Sequence, residues 1–98
     1  MKLVIQHVSD RNVDDRTMEF EGDVLRLGRA SDQDICIDQP ELPLSIGEIR
    51  EERDQLVLTV VGATKVSVNG TLVRKHALQK DDQIVIADTT ILVSNAAP

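Results

Sequence analysis

Aromatic residues are nearly absent from this chain of 98 residues, which contains one Phe and neither Trp nor Tyr. Proteins that hold single-stranded nucleic acid rely largely on the stacking of bases on aromatic rings, so the composition disfavours that class. Basic residues are also few, because the chain has 11 Lys and Arg but 17 Asp and Glu, which gives a net charge of −6. An acidic surface repels a phosphate backbone, and we therefore expect no nucleic acid among the partners.

Cysteine is represented only by Cys36, so an internal disulfide is excluded and a reducing compartment is the simpler setting. No apolar run approaches the roughly 20 residues of a membrane-spanning helix, and the N-terminus lacks the apolar core of a signal peptide. The sequence predicts a cytoplasmic domain with no direct membrane insertion. Membership of a longer, membrane-attached protein or complex stays open.

Catalytic motifs are missing as well. The sequence has no Gly-x-Ser-x-Gly, no P-loop and no Gly-x-Gly-x-x-Gly. His7 and His76 stand outside any motif and are expected to be ordinary surface or edge-strand residues. Cys36, between Ile35 and Ile37, is expected to be a small buried hydrophobe. We expect no enzyme, no catalytic residue and no cofactor.

The acidic cluster of Asp32, Asp34 and Asp38 raises the alternative of a calcium-dependent module. A calcium loop needs alternating carboxylates, a central Gly and a closing bidentate Glu, whereas Ile35 and Cys36 interrupt this cluster. Aspartates in a turn more often accept hydrogen bonds from local backbone N–H groups. The sequence therefore predicts no metal site, and sensitivity of the melting temperature to a chelator would favour the alternative.

Val, Ile and Leu dominate the apolar residues, and β-branched residues favour strands. Alternation of apolar and polar positions and intervening turn residues predict many short strands of a β-sandwich. The predicted strands are Lys2–Val8, Thr17–Glu21, Val24–Leu27, Ile35–Ile37, Ile46–Arg50, Leu56–Val61, Lys65–Val68, Leu72–Val73, Gln83–Ile86 and Thr90–Val93. Only Pro40–Arg53 has helical character, which Pro43 and Gly47 weaken. We expect one domain over residues 1–94, followed by a flexible C-terminal tail over residues 95–98.

Four short motifs occur in order along the chain. They are Leu25–Arg29 (LRLGR), Asp34–Asp38 (DICID), Val68–Gly70 (VNG) and Leu78–Ile84 (LQKDDQI). In this order and spacing they resemble the forkhead-associated (FHA) domain family, although Asp81 stands where the family usually has Gly. The resemblance implies an all-β, forkhead-associated-like (SMAD/FHA-type) β-sandwich of two mainly antiparallel sheets. It also implies a signalling or scaffold module that binds proteins.

The resemblance assigns candidate phosphate-binding positions one by one. In members that bind phosphothreonine, the arginine of Gly-Arg contacts the phosphate or orders the loops, and Arg29 fills that position. In the same members a Ser-x-x-His motif follows along the chain. Its serine hydroxyl contacts the phosphate, and its histidine braces the loop. The register that keeps the next strand in place puts Pro43 and Ile46 at these two positions, where neither side chain can donate a hydrogen bond. A shift by two residues recovers Ser45 but leaves Glu48 at the histidine position.

A later segment of the family pattern, Gly-Ser-Thr-Asn-Gly, is matched only by the shorter Gly62–Lys65. It lacks the asparagine, although Lys65 could add a second positive charge. A charge-assisted hydrogen bond contributes about 1.5–3 kcal/mol, so the loss of two or three removes several factors of ten in affinity. We expect Arg29 mainly to hold its own turn closed by pairing with Asp32 or Asp34.

The sequence thus predicts a non-enzymatic protein–protein interaction or scaffold module with a degenerate phosphothreonine site. Its partner is a protein, phosphorylated or not, and it can also self-associate. The predicted contact surface is either the altered loops (Asp38–Gly47 with Ala63–Lys65) or a sheet face. The predicted partner-binding loop residues are Ser31, Leu44, Ile46 and Thr64. Two further alternatives stay open: a working phosphothreonine reader using Arg29 with Ser45 and Lys65, and a regulatory domain of a longer protein.

Overall fold

The computed structural model describes the backbone of residues 1–9 and 12–97 and the side chains of residues 1–6 and 17–97. Within these residues the regular structure is entirely β. The strands are β1 (Lys2–Ser9), β2 (Asn12–Glu21), β3 (Val24–Gly28), β4 (Ile35–Cys36), β5 (Gly47–Glu52), β6 (Gln55–Val60), β7 (Val66–Val68), β8 (Thr71–Leu72), β9 (Lys75–Ala77), β10 (Gln83–Ile86) and β11 (Thr89–Ala97). The stretch with helical character, Pro40–Arg53, is a loop followed by β5.

The strands form two sheets that pack face to face. The first, sheet A, has six strands in the order β2-β1-β11-β10-β7-β8, and the second, sheet B, has five in the order β4-β3-β5-β6-β9. Every described pairing is antiparallel except that of β3 with the two-residue β4, which is parallel. The predicted β-sandwich of two mainly antiparallel sheets is confirmed.

Leucine, isoleucine and valine fill the space between the sheets. Alternate residues of β6 (Leu56, Leu58 and Val60) point inward, as the sequence pattern predicts, and Ile84 and Ile86 do so from β10. Burial of one such side chain contributes about 1.5–3 kcal/mol, so a core without Trp or Tyr is sufficient for a domain of this size.

Strand register brings several loops to one end of the sandwich. Gly47 at the start of β5 lies opposite both Leu27 near the end of β3 and Val60 at the end of β6. The loops after β3, before β5 and after β6 therefore leave sheet B at the same end. The β10–β11 turn reaches this end from sheet A, because Thr89 donates a hydrogen bond to Gln39 in the β4–β5 loop.

The C-terminal residues differ from the predicted tail. β11 extends to Ala97, and its last residues pair with the start of β1, as Lys2 with Ala97 and Val4 with Asn95. Strand pairing with β1 gives these residues partners that the sequence pattern did not indicate. Pro98 lies outside the described residues.

The strand β9 is also absent from the predicted set. Its residues, Lys-His-Ala, have little intrinsic preference for a strand, and they adopt this conformation because they pair with Val57–Thr59 of β6. Tertiary pairing here outweighs local propensity.

Candidate functional site

At Gly28, where β3 ends, the β3–β4 loop contacts the β4–β5 loop; we call this contact the Gly28 corner. Gly28 is buried, and a Cβ atom built on it would collide with the backbone carbonyl of Leu44. The next two residues hydrogen-bond the same neighbouring segment, because Arg29 N–H donates to Pro43 O and Ala30 N–H to Leu44 O, each at 3.2 Å. The glycine of the Gly-Arg motif is therefore required for the close approach of the β3–β4 and β4–β5 loops.

Arg29 braces this corner, but through a different partner from the one expected. Its Nε donates to the Leu42 carbonyl at 2.7 Å, in a partly buried position. Neither Asp32 nor Asp34 is its partner, so the predicted ion pair is wrong. The remaining guanidinium nitrogens hydrogen-bond none of the described residues.

Asp34 instead completes the hydrogen bonding of β3. Its Oδ2 accepts the backbone N–H of Arg26 at 2.9 Å. Because β4 contains only Ile35 and Cys36, it is too short to supply a backbone acceptor at that point, and a backbone N–H without a partner is costly. Asp34 therefore has a structural role in the edge of sheet B.

The β4–β5 loop exposes some predicted contact residues and buries one. Leu44 is 57% exposed and Ser45 is also exposed. Ile46, in contrast, is fully buried, its N–H donates to Leu27 O, and its carbonyl accepts Val61 N–H, both at 2.8 Å. Its prediction as a partner-binding residue is wrong, because the isoleucine anchors the loop to the core.

The start of β5 favours one of the two registers considered for the serine and histidine positions. The strand begins at Gly47, which agrees with the register that places Pro43 and Ile46 there. In the shifted register Glu48 would have to brace the loop. It lies within β5 instead, where its carboxylate accepts hydrogen bonds from Arg50 at 2.6 and 3.3 Å.

The β6–β7 loop supplies the other predicted residues. Val61 is held by Ile46, Gly62 has a φ of +76°, and Lys65 is exposed while Thr64 is half-buried. Register places this loop beside the loops that carry Arg29 and Ser45. Ser31 is exposed in the β3–β4 loop. The structure thus brings the predicted loops to one end, which we call the loop end (residues 29–34, 38–46 and 61–65).

Gln39 is a buried residue of the loop end that sequence reasoning missed. Its Oε1 accepts a hydrogen bond from Thr89 Oγ1 at 2.9 Å, and its Nε2 donates to Glu41 Oε1 at 3.2 Å and Asp88 Oδ2 at 3.4 Å. These bonds connect the β4–β5 loop of sheet B to the β10–β11 turn of sheet A. A glutamine between a short strand and a proline carries no distinctive sequence signal, so only the structure identifies it.

The surface of the loop end combines carboxylates with isolated apolar side chains. Its exposed acidic residues and those of the adjoining turn are Asp32, Asp34, Asp38, Glu41 and Asp88. The basic side chains there are Arg29 and Lys65, so the described acidic groups outnumber the basic ones. Leu44 and Val61, the latter 42% exposed, present apolar surface.

Comparison with known proteins was informative only at the level of structure. No protein-family model and no curated sequence matches the chain. The FHA domain of FhaA, solved in complex with the intracellular domain of another protein, superposes with a TM-score of 0.79 at 21% identity over 93% of this chain and 98% of that one. The FHA domain of the CT664 protein from Chlamydia trachomatis gives 0.81 at 14% identity, over 99% and 100%. The yeast Dun1 FHA domain, in complex with a doubly phosphorylated peptide, gives 0.78 at 14% identity, over 99% and 78%.

The chain has the forkhead-associated fold. At these identities the likeness concerns the fold, and it confirms the resemblance found in the four motifs. The binding residues must be judged on the loop end itself.

Two of the FHA-like motifs meet at the opposite end of the sandwich, around the buried carboxylate of Asp82. Asn69 Nδ2 donates to its Oδ1 at 2.9 Å, while Gln79 N–H at 2.9 Å and His76 Nε2 at 3.0 Å contact its Oδ2. Burial alone would raise the pKa of Asp82, but the hydrogen bonds from Gln79, Asn69 and His76 together hold it below its ordinary value. The network ties the β7–β8 hairpin to the loop before β10, so its role is structural.

Asp81 shows why the FHA pattern usually has Gly at this position. Its φ is +73°, a conformation that favours glycine, and its N–H donates to Val93 O at 2.7 Å. Asn69 and Gly70 also have positive φ values, of 52° and 86°, as the Asn-Gly turn signal predicts. Asp tolerates this backbone better than most residues, which accounts for the departure from the motif.

Cys36 is exposed, contrary to the expectation of a buried thiol, because its strand β4 is an edge strand and its side chain points away from Ile35 and Ile37. Its Sγ lies 3.5 Å from Arg29 O. The His7 side chain lies outside the described residues.

Asp32, Asp34 and Asp38 do not form a calcium site in the part of the chain that is described, where no three His, Cys, Asp or Glu side chains gather closely enough to hold a metal ion. No helix within the same residues could span a membrane.

A shallow hollow of about 690 Å³ lies away from the loop end. Its lining residues, from the β5–β6 hairpin and β9, are Glu52, Arg53, Gln55, Val57, Lys75, His76 and Ala77. Lys75 pairs with Glu52 at 3.2 Å, and His76 faces Asp82. The hollow is remote from Arg29 and Ser45 and adds nothing to the candidate site.

Proposed function

We propose that this FHA-like domain is a non-enzymatic protein–protein interaction or scaffold module whose phosphothreonine site is degenerate. The observation that carries the proposal is the β4–β5 loop, in which Pro43 and the buried Ile46 occupy the positions of the phosphate-binding serine and the bracing histidine. The neighbouring structures support a protein partner, since the FhaA domain is complexed with a protein domain and the Dun1 domain with a phosphopeptide.

The strength of phosphate binding decides between a degenerate and a working site. Arg29 has already committed its Nε to Leu42 O, and the buried Ile46 stands at the aligned position of the bracing histidine. With two charge-assisted or hydroxyl hydrogen bonds missing, about 3 kcal/mol or more of binding free energy is lost, a factor of more than one hundred in affinity. The carboxylates of Asp32 and Asp38 oppose a doubly charged group further. A phosphopeptide therefore gains little over its unphosphorylated form.

The remaining features of the loop end suit a protein surface. Leu44 and Val61 expose apolar side chains on two loops that Ile46 connects, and burial of exposed apolar area is the main source of binding free energy. Gln39 and the Gly28 corner hold the loops in place, which limits the entropy lost on binding. The loop end is thus preformed for a partner that buries Leu44.

A working phosphothreonine reader is the second candidate, favoured by two observations. Ser45 is exposed and its hydroxyl hydrogen-bonds no described residue, and the exposed Lys65 lies on the adjacent loop. Together with the Arg29 guanidinium nitrogens that hydrogen-bond no described residue, the Ser45 hydroxyl and the Lys65 ammonium could bind the phosphate in place of the family's usual phosphate-binding residues. Either function is compatible with a regulatory domain in a longer protein.

The test is an NMR titration of backbone amides with a degenerate phosphothreonine peptide pool, beside its unphosphorylated counterpart. We expect no difference between the pools at millimolar peptide. Saturable shifts at Gly28–Ser31 and Ala63–Lys65 with the phosphorylated pool alone, lost in Ser45→Ala and Lys65→Ala, would replace the main proposal by the second candidate. These two variants are preferred to Arg29→Ala because they leave the Arg29–Leu42 brace intact.

A second arm tests the protein partner directly. A photo-crosslinking residue at Ser45 should capture a defined protein in cells, and excess wild-type domain should compete while the Leu44→Glu domain does not. The same crosslinker at Glu51, exposed in β5 away from the loop end, is the control. Equal capture at both positions would refute the loop end as the contact surface.

A further inference from the structure

The outward faces of the two sheets differ in charge. On sheet B the outward positions of β3, β5 and β9 carry charged side chains, and several of these are paired. Arg50 lies 2.6 Å from Glu48, and Lys75 lies 3.2 Å from Glu52. Such charges on outward positions are typical of a sheet face that contacts water.

Sheet A presents a different outward surface across five adjacent strands. Register aligns Gln6 with Leu92, and it aligns Thr90 with Val85, Val85 with Ser67 and Ser67 with Leu72. Because paired residues share a face and the intervening residues such as Ile84 and Ile91 are buried, these side chains point outward. We call this set the neutral face (Gln6, Ser67, Leu72, Val85, Thr90 and Leu92).

The neutral face carries no charge, although charged residues make up 29% of the chain. Leu72 is 65% exposed, and Val85 and Leu92 are half-buried within the sheet. A continuous surface of branched apolar and small polar residues on a sheet is a feature of protein contact sites.

We propose that the neutral face packs against the same face of a second copy of this chain, forming a two-fold dimer of stacked sheets. The net charge of the chain is the reason for choosing a second copy as the partner at this face. Two copies each carrying −6 repel one another, and at physiological salt the repulsion extends about 8 Å from exposed charges. They can approach closely only where both surfaces are uncharged, whereas a basic partner would be drawn to the acidic parts of the surface.

The rim of the neutral face also suits a two-fold contact. Lys2 and Glu19 form an ion pair at 3.0 Å on the outward side of β1 and β2. In an isologous arrangement each copy presents both signs at this rim, so the lysine of one copy can meet the glutamate of the other. Sheets stacked in this way cross at about −30° and lie about 10 Å apart.

The size of the neutral face sets the expected strength. Five strands at about 4.8 Å spacing and two rows of side chains span roughly 24 by 15 Å. This is on the order of 350 Å² in projection, below the roughly 800 Å² per partner of a standard interface, and it predicts a weak dimer with a Kd on the order of 0.1–1 mM. The contact lies on the side of the sandwich and leaves the loop end accessible, so it is independent of the proposed function.

The test measures self-association of the whole chain by sedimentation velocity and ¹⁵N relaxation, from about 0.02 to about 2 mM. We expect the rotational correlation time to rise towards that of a dimer, with shifts on dilution concentrated on β7, β8, β10 and β11. Added NaCl should strengthen the association, because it screens the repulsion between two acidic chains. A wild-type chain that remains monomeric at the highest concentration would refute the proposal.

Two variants locate the contact. Leu72→Lys changes an exposed side chain and Val85→Lys the centre of the neutral face, and each should raise the Kd at least about tenfold, since it buries an unpaired charge. Thr59→Lys, a half-buried outward position on sheet B, is the matched control and should associate like the wild type. Dimerisation that survives Leu72→Lys and Val85→Lys in folded protein, or is lost equally in Thr59→Lys, would contradict the neutral face as the interface.

Discussion

Gln39 shows how one buried polar side chain can determine the shape of a binding surface. Its amide satisfies groups on both sheets, with Thr89 and Asp88 on one side and Glu41 on the other. A buried hydrogen bond between two uncharged groups contributes only about 1 kcal/mol net, but removal of one partner leaves the other without water or protein to bond. The position of the β4–β5 loop therefore depends on this residue.

A double-mutant cycle tests the coupling between Gln39 and Thr89. We expect Gln39→Leu and Thr89→Val each to lower the free energy of unfolding by about 1–3 kcal/mol, because each leaves a buried polar group unpaired. The double variant should lose less than the sum, with a coupling of at least about 0.5 kcal/mol. Urea unfolding measures all four proteins. Strict additivity would show that the 2.9 Å contact contributes nothing.

At the scale of elements, the hairpin β7–β8 and the loop before β10 are fixed by one carboxylate. Asp82 accepts hydrogen bonds from a backbone amide, from Asn69 and from His76, and these lower its pKa against the opposing effect of burial. A folded-state pKa below the unfolded value means that the ionised form stabilises the fold. This contribution is complete above the unfolded pKa of about 3.9 and is lost as the pH falls through the lower folded value.

Asp82→Asn should therefore be less stable than the wild type at neutral pH, by roughly 1.5–3 kcal/mol for hydrogen bonds to a charged group. The difference in unfolding free energy should shrink as the pH is lowered below about 4, because the wild-type carboxyl becomes protonated. Urea unfolding along a pH series gives this difference. Asp54→Asn, in an exposed turn, is the control, and a pH-independent difference for Asp82→Asn would contradict the role of its charge.

At the scale of the whole molecule, both sheets contribute to a single core. Leu58 from sheet B is fully buried among inward side chains of sheet A such as Ile91 and Val93. A defect there removes contacts from both sheets at once. The sandwich should accordingly unfold as one cooperative unit.

Leu58→Ala should lower the free energy of unfolding by about 2–5 kcal/mol, since a cavity forms where the structure cannot fully collapse. NMR reporters on Gly47 of sheet B and on Thr90 of sheet A should give the same urea midpoint in the variant. The exposed Leu72→Ala is the control and should change stability by less than about 0.5 kcal/mol. Separate midpoints for the two sheets would refute a shared core.

The sequence alone determined the class of fold and the location of the loop end. Alternation along β6, the Asn69–Gly70 turn and four motifs in order are local signals, and the structure confirms them because strand periodicity and turn chemistry depend on neighbouring residues. The resemblance to the FHA family, which rests on these motifs, implied the loops that carry Arg29, Ser45 and Lys65. The start of β5 at Gly47 also agrees with the sequence alignment that places Pro43 and Ile46 at the serine and histidine positions.

Only the tertiary structure decided which side chains those loops expose and what they contact. Ile46 is buried, Cys36 is exposed, Arg29 is held by Leu42 O, and Gln39 joins the two sheets. These outcomes depend on residues distant in sequence that arrive together when the sheets pack. The pairing that includes Asn95–Ala97 in β11 has the same origin, because a strand at a chain end is stabilised by its partner β1 and not by its own composition.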